Sequence, residues 1–371
     1  MRSLNRTLGP IPAFDTRTRL EVRNLLASMN RPFSGYLGGI HKGGYWVERL
    51  AEEWRMAFGV NHAMPCNSAT SGLLAACMAV GIEQGDEVWC PVYTMSATAA
   101  CATVLGASVK FVDVEDVRFS INMNNFAGKP KAIIVTNLFG HPAYLSTLRS
   151  WCDTNKVWMI EDNAQSPFAK EGSAYAGTVG HIGVFSLNVH KHIQSGEGGV
   201  VVTDSGGLAL QLKDAINHGE LRPGGAVGLN LRMAEQTAAI ACAQLSRAPM
   251  VIRGRRELAQ EMTQMVRGIP GVLAPQEAPG CEHVYYIWAA KIYEHKRHEF
   301  VETLVAHGIP MNLGYSPLLN RVFRSGGDVF PMAQLLEDVE LITFDICSHD
   351  PSAKQRKIMW EIFDLAGHAI Q

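Results

Sequence analysis

Residues 185–204 read FSLNVHKHIQSGEGGVVVTD: a short apolar run, a lysine between two histidines, a glycine-rich turn and a second apolar run. GVFSLN (183–188) and GVVVTD (199–204) have the β-branched and aromatic content of strands. Gly196, Gly198 and Gly199 between them mark a tight turn or a close backbone approach. Lys191 is thus held between two strand-like segments. Two readings stand at this point: a charge on a solvated loop, or the residue on which chemistry occurs. His190 and His192, two residues apart, would share one face of an extended segment. No Cys, Asp or Glu joins them at a metal-site spacing, so no metal is expected.

Working outward, helix-like and strand-like segments alternate from about residue 43 to 205. GGYWVERLAEEWRMAFG (43–59) spaces Trp46, Val47, Leu50, Ala51, Trp54 and Phe58 as an amphipathic helix does. DEVWCPV (86–92), VKFVDV (109–114), AIIVTNL (132–138) and VWMIED (157–162) add four strand candidates to the two already quoted. Short, nearly all-apolar strands separated by helix-sized connections predict an α/β fold with a mostly parallel central sheet buried on both faces. Beyond RPGGAVG (222–228) come two long helix-like segments, MAEQTAAIACAQLSRA and VIRGRRELAQEMTQMV. A strand-like YYIWAAKIY (285–293), a helix-like KRHEFVETLVAHG and a final helix near SAKQRKIMWEIFDLAGHA follow. Residues 1–250 are expected to form the N-terminal segment and large domain, and 251–371 a smaller α+β domain.

Composition narrows the function classes. The 371 residues carry 33 Lys plus Arg against 35 Asp plus Glu, a net charge of −2 that gives no field for nucleic acid or an anionic membrane. Any phosphate must be held by a local site. Eight scattered cysteines without a CxxC pair read as a reducing cytoplasm. MRSLNRTLGPIPAF lacks an apolar signal core, and the apolar runs fall short of the roughly 20 residues that cross a bilayer, so neither secretion nor anchoring is expected.

In a parallel α/β sheet, ligands bind at the carboxyl ends of the strands. Four places there are candidates. In CNSATSGLLAACMAVG, Asn67 to Gly72 lead into an apolar helix whose first amides, with Thr70, make either an anion site or an ordinary cap. In IEDNAQS, a strand ends in Glu161 and Asp162, with Gln165 three residues on; an acid there suits a base, a metal ligand, a cap or the partner of a ring nitrogen. Ser186 offers a hydroxyl five residues before Lys191. In GLNLRMAEQTAA (228–239), Asn230 and Arg232 are expected to begin a helix. Together, a lysine, an acid, a phosphate cradle and hydroxyls are what pyridoxal phosphate (PLP) requires: an amine for its aldehyde, an acid for its pyridine nitrogen, amides and hydroxyls for its phosphate.

With these residues in place, the chain resembles the DegT/StrS sugar aminotransferases, which have the type I (aspartate aminotransferase) PLP-dependent transferase fold. The resemblance is carried by SGYLGG, VERLAEEW, NSATSGL, GDEVWCPVYTMSATAA, FVDVE, IEDNAQS, FSLNVHKHIQSGEGGVVVTD, GLNLRM, and HGIP with GYSPLL. It implies that Lys191 bonds the cofactor aldehyde, Asp162 pairs with the pyridinium nitrogen and Gln165 lies near the ring hydroxyl. It further implies that Ala69 and Thr70 bind the phosphate through their amides and Ser186 through its hydroxyl, and that Asn230 reaches the cofactor phosphate of a neighbouring subunit in a homodimer. Three positions depart from the pattern. Met95 stands where an aromatic residue often covers the ring, Ala69 replaces a usual glycine, and GYSPLL lacks a histidine, leaving Tyr315 as the substrate contact. The activity implied is transfer of an amino group from glutamate or glutamine to a keto sugar, one linked to a nucleotide. A keto-cyclitol aminotransferase, a sugar dehydratase (a branch with histidine in place of the lysine) and a non-catalytic PLP-binding regulator are the alternatives.

Overall fold

The computed structural model describes residues 19–20, 22–23, 44–219, 227–293, 296–349 and 351–370. SGYLGG (34–39), MRSLNRTLGPIPAF (1–14) and most of RPGGAVG lie outside the described residues. The first long unit contains, in chain order, α1 (Tyr45–Phe58), β1 (His62–Cys66), α2 (Ala69–Ala79), β2 (Glu87–Pro91), α3 (Ala97–Thr103), β3 (Ser108–Val112), β4 (Ala132–Thr136), α4 (Leu145–Asn155) and β5 (Trp158–Asp162). Then follow a small hairpin, β6 (Lys170–Glu171) with β7 (Ala174–Tyr175), and β8 (Ile182–Ser186), β9 (Gly199–Thr203), α5 (Gly206–Ile216) and α6 (Glu235–Val266).

Seven strands form one sheet in the order β1-β9-β8-β5-β4-β2-β3. The run from β3 to β8 is parallel, and β9 is antiparallel to both β8 and β1. All six expected strands are present. Their apolar runs make sense because alternate residues point into two separate cores. Ile134, Ile160, Val184 and Val201 pack with Leu73, Ala102 and Leu212 from α2, α3 and α5. Ile133, Met159, Phe185 and Val200 pack with Leu50, Trp54, Leu148 and Leu245 from α1, α4 and α6.

The C-terminal part adds β10 (Val272–Leu273), β11 (Cys281–Glu282), β12 (Trp288–Ile292), α7 (Arg297–Ala306), β13 (Met311–Asn312), β14 (Leu341–Phe344) and α8 (Ala353–Ala369). An antiparallel sheet, β10-β12-β14-β13, carries a third core of Leu258, Met262, Trp288, Phe300, Phe344 and Phe363. β11 joins the β6–β7 hairpin instead. Ser352 and Gln355 close a reciprocal capping box at the start of α8. Among the described residues, no helix is long and apolar enough to cross a membrane.

The structure differs from the sequence reading at β1, in α6 and at Asn230 and Arg232. β1, HAMPC, is an additional strand; it lies at the sheet edge, where Pro65 opposite Val200 is tolerated. The two long helical segments are one 32-residue helix, α6, running through Pro249. Pro249 is exposed, so its ring meets solvent rather than the core, although it takes the intrahelical donor from the Leu245 carbonyl. Asn230 and Arg232 do not begin a helix. They lie in an extended stretch bridged to Asn217 and Cys66, and α6 starts at Glu235, after Ala234.

Helix α2 packs closely on the sheet at Gly72, where an added Cβ would lie 2.8 Å from Val184 Cγ1 and 2.9 Å from Val201 Cγ2. Alanine would gain about 1 kcal/mol in helix propensity. Overpacking against two stiff valines costs about 1–3 kcal/mol and should win. Gly72→Ala is therefore expected to lower stability in urea unfolding; a stabilised variant would show that the helix shifts outward freely.

Candidate active site

The sheet register assembles the site before any side chain is considered. Ser186 at the end of β8, Gly199 at the start of β9 and Cys66 at the end of β1 lie abreast. Asp162 ends the neighbouring strand β5. Loops leaving these strand ends therefore converge on one edge.

From Cys66 the chain turns through Asn67 and Ser68 into α2. Ser68 caps that helix, its hydroxyl accepting from the Ser71 amide at 3.1 Å. The helical pattern leaves the Ala69 and Thr70 amides without intrahelical acceptors. Gly199 packs directly against this turn: a Cβ on it would lie 2.7 Å from the Ala69 nitrogen. The glycine thus lets two strand ends and a helix terminus meet closely, and free amides at a helix start suit an anion. Ser186 is partly buried beside it, its hydroxyl accepting from the Asn188 amide at 3.3 Å.

Glu161 and Asp162, adjacent in sequence, separate into different roles. Glu161 points away from the edge and accepts from Asn137 Nδ2 at 2.8 Å and from the Gly177, Val179 and Gly180 amides, so it holds a loop. Asp162 is buried at the edge, its Oδ2 accepting from Thr98 Oγ1 at 2.8 Å and its Oδ1 from the Ala164 amide at 3.2 Å. Burial pushes its carboxyl above the usual range, and the two donors with the charge of Lys191 oppose that.

Lys191 lies in the β8–β9 connection, its amide bonded to the Asn188 carbonyl. Its ammonium sits 4.1 Å from the centre of the Tyr286 ring and has no hydrogen bond or ion pair among the described residues. Burial brings its pKa down to about 8, against a smaller upward pull from Asp162. The flanking histidines do not share a face: His190 is exposed, whereas His192 is buried with Nε2 2.9 Å from the Val284 carbonyl. No group of metal-ligating side chains occurs among the described residues.

Gln165 is fixed at both ends. Its Oε1 accepts from the Phe139 amide at 2.7 Å, which orients Nε2 to donate to the Tyr315 hydroxyl at 2.7 Å. The Tyr315 ring lies parallel to Phe139 with centres 6.1 Å apart, and its amide donates to the buried Tyr93 hydroxyl. Glu337 holds the following residues through the Ser316 hydroxyl and the Leu318 amide. Met95 is exposed just before α3, and Asn230 is exposed on its extended segment. The structure thus gathers Ala69, Thr70, Asp162, Gln165, Ser186, Lys191 and Tyr315 around one edge.

Sequence reasoning missed Tyr286, Thr98, Phe139 and Tyr93. Tyr286 was hidden in an apparent strand, YYIWAAKIY, but the strand begins only at Trp288. Tyr285 takes a positive φ of 50°, and the Gly140 backbone presses against the Tyr285 and Tyr286 amides where a Cβ would come within 2.6 Å. That contact places the Tyr286 ring under Lys191.

A family model for the DegT/DnrJ/EryC1/StrS aminotransferases matches residues 37–334. A GDP-perosamine synthase from Vibrio cholerae is 31% identical over 67% of this chain and 70% of that protein. A UDP-N-acetyl-3-dehydro-alpha-D-glucosamine 3-aminotransferase from Acidithiobacillus ferrooxidans is 31% identical over 69% and 71%. The L-glutamine:2-deoxy-scyllo-inosose aminotransferase of Streptoalloteichus tenebrarius is 28% identical over 85% and 79%. Among solved structures, the aminotransferase TlmJ from Streptoalloteichus hindustanus superposes with a TM-score of 0.87 at 22% identity, over 98% of this chain and all of that one, which establishes the shared fold. The chain belongs to the DegT/DnrJ/EryC1/StrS family of PLP-dependent sugar aminotransferases.

Proposed function

We propose that the protein moves an amino group from glutamate or glutamine to the keto carbon of a nucleotide-linked deoxysugar, with Lys191 as its catalytic amine. The observation that carries this reading is the Lys191 ammonium, desolvated, without a hydrogen-bond or ion-pair partner among the described residues, and on the same sheet edge as Asp162 and the α2 terminus. A structural lysine would be paired. An amine meant to attack a carbonyl must be available in its neutral form near neutral pH.

The residues present fit pyridoxal phosphate. Lys191 would bond its aldehyde and Asp162 would face its ring nitrogen. Gln165, already oriented by Phe139, would lie beside the ring hydroxyl. The Ala69 and Thr70 amides and the Ser186 hydroxyl would hold the phosphate at the start of α2, a turn that close packing against Gly199 keeps in place. Met95 would cover a ring face with its thioether. Asn230, exposed on its own subunit, would reach the phosphate bound by a partner copy, which makes the active unit a homodimer. Tyr315 would lie on the substrate side. Residues 1–250 and 251–371 would act as large and small domains joined along α6.

The bound cofactor supplies an electron sink for the α-carbon of the amino donor. Lys191, released by the donor, would take the α proton as general base and return it to the cofactor's aldehyde carbon as general acid. Its lowered pKa suits both directions at neutral pH. The relatives named for GDP- and UDP-linked sugars support the nucleotide sugar. The relative that acts on 2-deoxy-scyllo-inosose aligns with more of this chain, and it supports a keto-cyclitol with glutamine as donor as the second reading. A lysine rather than a histidine at 191 argues against dehydration.

The amine can be tested with and without the cofactor. In the cofactor-free protein, reductive methylation of Lys191, followed by mass spectrometry, should rise with pH through a midpoint of about 8 rather than 10.5. Asp162→Asn should lower that midpoint further, because the carboxylate favours the ammonium. In the PLP-loaded protein, glutamate or glutamine should convert the visible band to the pyridoxamine phosphate absorption, and a keto sugar should reverse it; Lys191→Ala should do neither. Cofactor binding without any response to either donor would refute transamination.

A further inference from the structure

The proposed role of Asp162 raises the problem of how its carboxylate stays ionised in a buried position. Thr98 of α3 is fully buried, and its hydroxyl lies 2.8 Å from Asp162 Oδ2. Because that hydroxyl spends its proton on the carboxylate, its oxygen is left to accept, and the Thr94 hydroxyl lies 3.3 Å away. Thr94 is buried too. The hydroxyls thus form a one-way chain, Thr94 to Thr98 to Asp162, in which each bond polarises the next.

We infer that Thr98, backed by Thr94, is a positioning residue that keeps Asp162 a carboxylate and aims it at the cofactor ring nitrogen, and so sets how strongly the cofactor withdraws electrons. This inference rests on the reading of Asp162 as the partner of that nitrogen. The geometry suits the task. With Oδ2 held by Thr98 and Oδ1 by the Ala164 amide at 3.2 Å, the carboxylate is oriented from both oxygens, yet it keeps lone pairs for one further donor.

Other groups facing Asp162 do not replace Thr98. Lys191 is the cation near it, and Cys101 and Tyr315 are the remaining titratable neighbours. Burial raises Tyr315 to about 12, and the Cys77 hydrogen bond together with burial raises the Cys101 thiol, so neither ionises near neutral pH. Bonding Lys191 to the aldehyde would also occupy its amine, leaving the hydroxyl chain and the Ala164 amide as the support of the carboxylate.

Without the Thr98 donor, the carboxylate becomes more basic and draws the shared proton away from the ring nitrogen. A less electron-poor ring makes the lysine-bound nitrogen more basic. The test uses PLP-loaded Thr98→Val, Thr98→Ser, Thr94→Val and Asp162→Asn proteins. It reads the midpoint pH of the visible cofactor band and the single-turnover rate with glutamate. Thr98→Val should move the midpoint upward by about half a unit or more and slow the turnover about tenfold at saturating glutamate. Thr98→Ser should restore both, and Thr94→Val should give a smaller shift of the same sign. A shifted midpoint in Asp162→Asn with wild-type behaviour in Thr98→Val and Thr94→Val would overturn the role of the chain alone. An unmoved midpoint in Asp162→Asn would overturn the reading of Asp162 and the inference with it. A merely structural threonine would lower the unfolding midpoint and leave the band where it was.

Discussion

The backbone at Gly199 passes so close to the Ser68–Ala69 peptide that no side chain fits between them, and the site is built on that contact. It ties the antiparallel strand β9 to the turn that starts α2. Through the register with β8 and β1, it also fixes where Ser186 and Cys66 end. An anion corner needs amides that converge without an intervening methyl group. The glycine secures that convergence by geometry rather than by attraction.

Against this fixed corner, the lysine is held in an energetically costly way. Burial removes water from its ammonium, and Tyr286 offers a ring face but no carboxylate. Asp162 lies near enough to offset part of that cost. The result is an amine poised between its two protonation states. Gln165 and Tyr315, by contrast, are braced from several sides: by the Phe139 amide, the Tyr93 hydroxyl and the Glu337 carboxylate. The small sheet contributes through that loop, so both parts of the chain shape the edge.

Much of this was legible in the sequence because parallel strands buried on both faces read as short apolar runs, and their ends bear the polar residues. AIIVTNL and VWMIED gave β4 and β5 almost to the residue. Lys191, Asp162 and Gln165 stood out because each follows such a run. β1 was not legible: HAMPC is brief and holds a proline that only its edge position permits. α6 read as two helices because Pro249 looks like a stop until its solvent exposure is known. Tyr286 and Thr98 were invisible for a different reason. The first depends on a turn pressed against Gly140 and the second on a helix packed beside a strand 64 residues away, and neither distance is encoded locally.

The central claim is that one particular lysine carries the cofactor, and the most direct measurement locates it covalently. The purified protein, loaded with pyridoxal phosphate, would be reduced with borohydride, digested and mapped by mass spectrometry. The account predicts a single stoichiometric phosphopyridoxyl group on the Nζ of Lys191. A group found on another lysine, or spread over several surface lysines while Lys191 stays unmodified, would contradict it.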